Sequence, residues 1–316
     1  MENKTIFGPI RSRRFGNSLG IDLSSGIKQC NFDCLYCELA PSATVDHQVI
    51  SVDVQTIIKE LIFALAEHQN IDVITLTANG EPTLYPYLDE LLSEINKIKE
   101  HREILILTNS ATLADEKVFN TLLKLDQVKL SLDAVTPDVF KKIDRPHKGI
   151  DIKTLTCKVI EFSKMFTGKL YIEVLFVHGI NDTKEEIQAI NEVLKALSHV
   201  ERIDIGTIDR PPAYPVSGVS YGELFEISKM FDSTLPIHIA SRTHAESCQS
   251  HYSSEEIVNT LDKRPLTQED VNLLFDEESQ AELQNLLKNG EISIAQVGNL
   301  EFYVLSQNIQ RKRLKS

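Results

Sequence analysis

The sequence predicts an α/β fold: a partial (β/α)6 TIM-like barrel followed by a small winged-helix domain. From residue 19 onward, short β-branched runs alternate with longer helical patterns, which is typical of parallel βα units. Six such units fit a partial barrel, and they also fit an open doubly wound sheet. After about residue 252 the pattern changes to three short helices and two strands. We therefore expect a core over residues 1–250 and a second domain over 251–316 with a basic tail.

The strands of the core are predicted from runs rich in valine, isoleucine and leucine. Amphipathic helical patterns lie between them, and LPIHIA (235–240) could form a further edge strand. The six strand candidates are GIDL (20–23), DVITLTA (72–78), EILILTN (103–109), QVKLSLDA (127–134), KLYIEVLFVHG (169–179) and RIDIGTI (202–208). The helical patterns cover residues 54–68, 88–101, 116–125, 155–166, 185–197 and 221–231.

The C-terminal segment has the order of elements expected of a winged helix. Helical patterns at 253–264, 266–275 and 277–290 precede two strands within 292–305, which a turn at Gly298–Asn299 would join. The third helix carries Glu277, Glu278 and Glu282 against Lys288. Since carboxylates repel phosphates, a protein-contact or structural role is favoured over reading of a DNA duplex.

Composition limits the classes of function. The formal net charge of −13 argues against broad, non-specific affinity for nucleic acid, although Arg11, Arg13 and Arg14 form one basic cluster and residues 311–315 form another. No apolar run approaches the roughly 18 residues that span a bilayer. The first residues also lack the apolar core of a signal peptide. We therefore expect a cytoplasmic protein without a membrane partner.

Three of the five cysteines form a C-x3-C-x2-C motif: Cys30, Cys34 and Cys37. In a reducing compartment, thiols this close together serve metals or chemistry. A 4Fe–4S cluster normally has four thiolate ligands, so three cysteines would leave one iron open for a substrate. A structural zinc site, the alternative, usually needs a fourth ligand. We expect Cys157 to lie in the core, and Cys248 with His244 and His251 to lie in a surface loop.

Polar residues follow the ends of successive predicted strands. Parallel sheets bind ligands at this edge. Alternative explanations are a common turn for Asn79–Thr83, helix capping for the serine and aspartate of SLDA, and a surface position for Arg145. The candidates are Gly80, Glu81, Asn109, Ser131, Asp133 and Arg145, with Gly206–Thr207 at the same end.

The run CNFDCLYC resembles the signature of the radical S-adenosylmethionine (SAM) superfamily. The resemblance implies one 4Fe–4S cluster on the three cysteines, with SAM on the open iron. It also implies contacts of Tyr36 with the adenine and of Gly80 and Glu81 with the methionyl amino group. Ser131 and Asp133 would contact the ribose hydroxyls, Arg145 would lie near the methionyl carboxylate, and Asn109 would face the same ligand.

Further motifs resemble the radical SAM proteins grouped with wyosine-base-forming tRNA enzymes. They are FGPIRSRRFGNSLGIDL (7–23), NGEPTL, SLDA and DRPPAYP (209–215), and the resemblance covers residues 6–240. The archaeal wyosine enzymes carry an additional cluster on cysteines ahead of the triad, whereas this chain has no cysteine before Cys30. A tRNA base is thus one candidate substrate.

The resemblance also implies a mechanism. A flavodoxin or ferredoxin would reduce the cluster, which would cleave SAM to methionine and a 5′-deoxyadenosyl radical that abstracts hydrogen from the substrate. Two alternatives remain: radical modification of a protein or peptide, as in an activase, and a non-catalytic iron–sulfur sensor with a winged helix. The sensor would leave the motifs at 79–83 and 131–134 without a purpose.

Overall fold

The eight strands of the core form one sheet in the order of the sequence. The structure, a computed structural model, describes residues 5–12, 15–24, 26–239, 249, 251–263, 265–297 and 300–306. Strands β1 and β2 are antiparallel, and every later neighbour pairs in parallel. The strands are β1 (Ile6–Ser12), β2 (Gly16–Asp22), β3 (Val73–Thr77), β4 (Glu103–Thr108), β5 (Gln127–Ser131), β6 (Lys169–Phe176), β7 (Val200–Thr207) and β8 (Ile237–Ile239).

Helices connect the parallel strands, as a partial (β/α)6 barrel requires. The sequence prediction missed the seven-residue α4, which follows the SLDA run. The helices of the core are α1 (Val54–Glu67), α2 (Leu88–Ile98), α3 (Glu116–Leu122), α4 (Pro137–Ile143), α5 (Ile152–Met165), α6 (Lys184–Lys195) and α7 (Tyr221–Ser228), and 3-10 turns lie at Pro82–Leu84 and Ala111–Ala114. The six predicted strands and the extra edge strand are confirmed, with ends shifted by a few residues.

The two faces of the sheet differ in chemistry. Along β5, Val128 and Leu130 are fully buried in the core cluster beneath the helices. Side chains alternate along a strand, so Lys129 and Ser131 point to the opposite, inner face. There Lys129 forms an ion pair with Glu173 of β6. The inner face of this partial barrel therefore carries a partly buried ion pair between its central strands.

The antiparallel hairpin at the start was not predicted, because the sequence analysis began the first strand at residue 20. The β1 sequence, IFGPIRS, contains Gly8–Pro9, and such a pair normally marks a loop. Proline is tolerated in a strand at the edge of a sheet, and β1 occupies that position. The hairpin adds a strand to the barrel on the side of the C-terminal unit.

The C-terminal unit has a hydrophobic cluster of its own, to which Ile10 of β1 also belongs. The hydroxyl of Tyr252 donates to the carbonyl of Pro9, a second link to the hairpin. A small antiparallel sheet has the order β10-β11-β9. The elements are α8 (Ser254–Lys263), β9 (Leu266–Thr267), α9 (Gln268–Leu274), α10 (Glu277–Lys288), β10 (Ile292–Val297) and β11 (Leu300–Leu305). The winged-helix assignment and the boundary at 250/251 stay predictions, and the turn at Gly298–Asn299 and the basic tail lie outside the described residues.

The prediction for Cys157 was wrong, because this cysteine is exposed. The buried stripe of α5 runs through Ile152, Leu155, Val159 and Phe162, at the three- and four-residue spacing of a helix face. Cys157 falls between these positions and faces solvent.

The predicted surface loop with Cys248, His244 and His251 lies only partly within the described residues. Cys248 and His244 lie outside the described residues, whereas His251 is exposed, with its Nδ1 3.4 Å from a carboxylate oxygen of Asp276.

Among the described residues, none of the helices combines the length and the apolarity that crossing a lipid bilayer requires.

Candidate functional site

The cysteines lie in the segment between β2 and α1, which we call the cysteine loop (residues 26–47), and this loop pairs with the turn after β3. The amide of Gln29 donates to the carbonyl of Asn79 at 3.0 Å, and the amide of Glu81 donates to the carbonyl of Gln29 at 3.0 Å. Gly80 has φ of +134°, and a Cβ on it would lie 2.0 Å from the Gln29 carbonyl oxygen. Only glycine lets the two backbones come this close, so Gly80 allows the cysteine loop to pack on the turn after β3.

The end of α4 and the segment after it anchor the cysteine loop on its other side. The amide of Asp33 donates to the carbonyl of Asp144 at 3.0 Å, and the amide of Leu35 donates to the carbonyl of Ile143 at 2.8 Å. In the reverse direction, the amide of His147 donates to the carbonyl of Asn31 at 2.7 Å. Backbone hydrogen bonds thus hold the loop across the carboxyl ends of the sheet.

The three predicted cluster ligands all lie in this loop, and all are half-buried. The Cys34 thiol donates to Oδ1 of Asp144 at 3.4 Å, and Nδ2 of Asn109 lies 3.8 Å from Sγ of Cys30. Burial raises the pKa of all three thiols, that of Cys30 to about 12. A metal deprotonates a coordinating thiol outright, so binding would overcome this penalty.

The donor chemistry fits a cluster in which each thiolate binds a different iron. Across the described part of the chain, no three histidine, cysteine, aspartate or glutamate side chains converge on a point where one metal ion could be held. Three thiols in one seated loop, with an amide N–H beside one sulfur, are the groups that hold and tune iron–sulfur clusters. The residues present therefore fit an iron–sulfur cluster.

A buried lysine beside the cysteines was missed by the sequence analysis. Nζ of Lys28 donates to Oδ1 of Asp33 at 3.1 Å, and each side chain is 9% exposed. Burial lowers the pKa of Lys28, but the negative groups of Cys37, Asp33 and Cys30 outweigh it, so that the pKa is raised overall. Lys28 thus stays charged and offsets negative charge in the loop.

The DRPPAYP segment after β7 (residues 209–215), which we call the strap, is fastened to the cysteine loop. The amide of Ala213 donates to the carbonyl of Cys37 at 2.8 Å. The hydroxyl of Tyr214 donates to the Asp33 carboxylate, and Arg210 forms an ion pair with Glu38. The DRPPAYP motif carried only a resemblance in the sequence, and the structure shows that it contacts the loop that carries the cysteines.

We expect Tyr214→Phe to loosen the strap, because the Asp33 carboxylate loses one of its donors. In hydrogen-exchange mass spectrometry of the reconstituted protein, amides of the strap and of residues 38–45 should exchange several-fold faster than in the parent. Tyr221→Phe is the matched control, since Tyr221 is exposed on α7. Unchanged exchange in the Tyr214 variant would mean that its hydroxyl does not hold the strap.

Four of the predicted SAM contacts line one pocket beside the cysteine loop: Tyr36, Asn109, Ser131 and Asp133. The Tyr36 hydroxyl donates to Oδ2 of Asp133, and the amide of Leu175 donates to Oδ1 at 2.6 Å. Burial raises the pKa of both Asp133 and Tyr36. The free volume is only about 10 Å³, so side chains around the pocket would have to move apart to admit a ligand.

Glu81 lies outside this pocket and is 2% exposed. Its Oε1 accepts from the amide and hydroxyl of Thr83 and from the hydroxyl of Thr108, and its Oε2 accepts from the amide of Asn109 at 2.8 Å. Burial raises its pKa, and these hydrogen bonds oppose the rise. A carboxylate has about four lone-pair sites, so Glu81 is occupied in positioning the turn after β3 and Asn109.

Arg145 also points away from the pocket. Its Nη1 lies 3.3 Å from Oδ2 of Asp33, and its guanidinium carbon lies 4.7 Å from the centre of the Tyr214 ring. The side chain is 42% exposed. In this structure Arg145 therefore binds a carboxylate of the protein and stacks on the strap.

The parallel α/β sheet, the seated triad of thiols and the adjoining pocket together define an open-sited iron–sulfur enzyme. The model of the radical SAM superfamily matches residues 25–196, which is more than half of the chain. The chain belongs to the radical SAM superfamily. It is accordingly a radical SAM enzyme that uses a 4Fe–4S cluster and SAM, and its reaction is not assigned by this match.

Within that superfamily, the chain is 37% identical over 304 residues to a UPF0026 protein of Helicobacter pylori, covering 94% of this chain and 96% of the relative. Among solved structures, a radical SAM methyltransferase from Sphaerobacter thermophilus superposes with a TM-score of 0.57 at 13% identity, covering 72% of this chain and 67% of the other. TYW1 with a lysine–pyruvate adduct bound gives 0.52 at 18% identity, covering 69% and 74%. These two structures support the fold alone.

Proposed function

We propose that the chain holds a single 4Fe–4S cluster on Cys30, Cys34 and Cys37 and that its substrate is an RNA base, with a tRNA base as the first candidate. The cluster assignment rests on the hydrogen bonds and close contacts by which Gly80 and Asp144 hold the cysteine loop beside the pocket of Tyr36 and Asp133. The RNA base is proposed from the resemblance of residues 6–240 to the wyosine-base-forming group. When bound, the cluster and SAM supply a 5′-deoxyadenosyl radical for hydrogen abstraction.

The residues around this site have separate tasks in the proposal. Tyr36, Ser131 and Asp133 bind the nucleoside part of SAM, since they present hydroxyl and carboxylate groups from one pocket. Gly80 and Glu81 orient the turn after β3 toward the methionyl end. Arg145 serves the methionyl carboxylate after exchanging its contact with Asp33, because a guanidinium binds either carboxylate by the same geometry. A flavodoxin- or ferredoxin-type protein supplies the electron.

We also propose that the C-terminal unit is a winged helix. Its elements follow the order helix, strand, helix, helix, strand, strand. The acidic α10 disfavours a nucleic-acid backbone, and Glu282 accepts from Ser254 and Asn285 within the unit. We assign the unit to protein contact, including contact with the β1–β2 hairpin.

The experiment has two stages. Anaerobically reconstituted protein, incubated with SAM and dithionite, should produce 5′-deoxyadenosine, and its absence would contradict the enzymatic site. Mass spectrometry of nucleosides from a deletion strain and its parent should then show one modified nucleoside missing from the RNA of the deletion strain. An unchanged RNA profile would contradict the RNA substrate and favour a peptide or protein substrate.

A further inference from the structure

A groove lies between the end of α4 and the start of α5, outside the pocket described above. It has a volume of about 470 Å³, within the roughly 300–1,000 Å³ of ordinary ligand sites. Pro137, Pro146 and Ile150 give it apolar walls. Its cationic lining comes from Lys141, Arg145 and Lys148, and His147 also lines it.

The charge of this groove is opposite to that of the chain, whose formal net charge is −13. The acidic residue that lines it, Asp151, caps α5 by accepting from the amide and hydroxyl of Thr154. Asp144, in the same segment, is 3% exposed and accepts from Cys34 instead. Lys141 and Lys148 are exposed, and no ion pair or hydrogen bond joins either to another described residue. The groove therefore presents free ammonium groups.

The groove adjoins the candidate active site. Phe140 and Ile152 line both the groove and the pocket of Tyr36 and Asp133. The amide of His147 donates to the carbonyl of Asn31, so the wall of the groove is bonded directly to the cysteine loop. A ligand in the groove would thus lie next to the place where SAM is expected to react.

We propose that this groove binds phosphate groups of the RNA substrate, with Lys141 and Lys148 as the phosphate ligands. The inference rests on the proposed function and adds to it a defined backbone-binding surface. Ammonium groups bind phosphate as point charges and discriminate little between sequences. The groove would position the RNA, and the polar inner face of the barrel would receive the base. A small phosphorylated molecule would present the same phosphate group, and the test distinguishes it from RNA.

The test measures the affinity of the full-length, reconstituted protein for unfractionated tRNA at several salt concentrations. Each phosphate contact contributes about −0.7 in single strands and about −0.9 in a duplex to the slope of log K against log of the salt concentration. In the double variant Lys141→Gln, Lys148→Gln, the slope should become shallower by about 1.4 to 1.8. Lys195→Gln is the control, because Lys195 is a partly exposed lysine on α6 that pairs with Glu192. An unchanged slope in the double variant would overturn the proposal.

Two further measurements distinguish failure of the RNA assignment from failure of the proposed reaction. If adenosine monophosphate binds as tightly as tRNA, and the double variant loses both, the ligand is a small phosphorylated molecule and the RNA assignment is wrong. The double variant should still cleave SAM with dithionite in the absence of RNA. If the parent itself yields no 5′-deoxyadenosine while its salt slope behaves as expected, the proposed reaction fails and the phosphate groove stands.

Discussion

Alanine in place of any one of Cys30, Cys34 or Cys37 is expected to abolish 5′-deoxyadenosine production. Each thiolate would bind a different iron, and no fourth cysteine lies nearby in the sequence to replace a lost one. Iron content and the visible absorbance of the cluster should fall sharply after anaerobic reconstitution. The effect should be similar for the three variants, because the ligands belong to one loop.

Cys157→Ala provides the matched control. This cysteine is exposed on α5, away from the buried stripe of the helix, so its loss should leave iron content and activity at the level of the parent. A triad variant that kept the full iron content and produced 5′-deoxyadenosine at the parental rate would contradict the ligand assignment. Loss of activity in the Cys157 variant would instead point to a general sensitivity of the fold.

The order of the sheet was predictable because its signal is local and repeated. Each parallel strand from β3 to β7 is a short apolar run followed by a helical pattern, and sequential strands pair as neighbours. The exceptions have physical causes. No strand was predicted for β1, whose Gly8–Pro9 pair is typical of loops, although an edge strand tolerates proline. Helix α4, of seven residues, is too short for helical periodicity to be recognised.

The candidate site was predictable in its residues but less so in their contacts. Motifs identified Tyr36 and Asp133, and the structure joins them by a hydrogen bond. No pattern in the sequence indicates that Tyr214 reaches Asp33, 181 positions away, since that contact depends on how the strap folds back over the sheet. The spacing of motifs identifies residues that act in one site. Contacts between distant segments, such as Tyr214 with Asp33, become visible only in the folded structure.

Gly80 is another residue that a motif identified but whose contact only the structure shows. Its replacement is the second change with a large expected effect. The sequence predicts that this glycine lets the backbone approach a ligand, whereas in the structure the backbone of Gln29 makes the close approach. Gly80→Ala should displace the cysteine loop, because the new Cβ would lie 2.0 Å from the Gln29 carbonyl oxygen and neither atom belongs to a flexible side chain. The positive φ alone costs of the order of 1–3 kcal/mol for a residue other than glycine. Iron content after reconstitution, 5′-deoxyadenosine production and the melting temperature should all fall.

Gly179→Ala separates backbone strain from displacement of the loop. Gly179 also has positive φ, +69°, but a Cβ there would meet no atom within 4 Å. This variant should lose some thermal stability through strain while keeping its iron content. If Gly80→Ala retained as much iron as Gly179→Ala, the pairing of Gln29 with the turn after β3 would not be needed to assemble the site. A selective loss of iron in Gly80→Ala would show that this glycine acts by holding the cysteine loop in place through the backbone of Gln29.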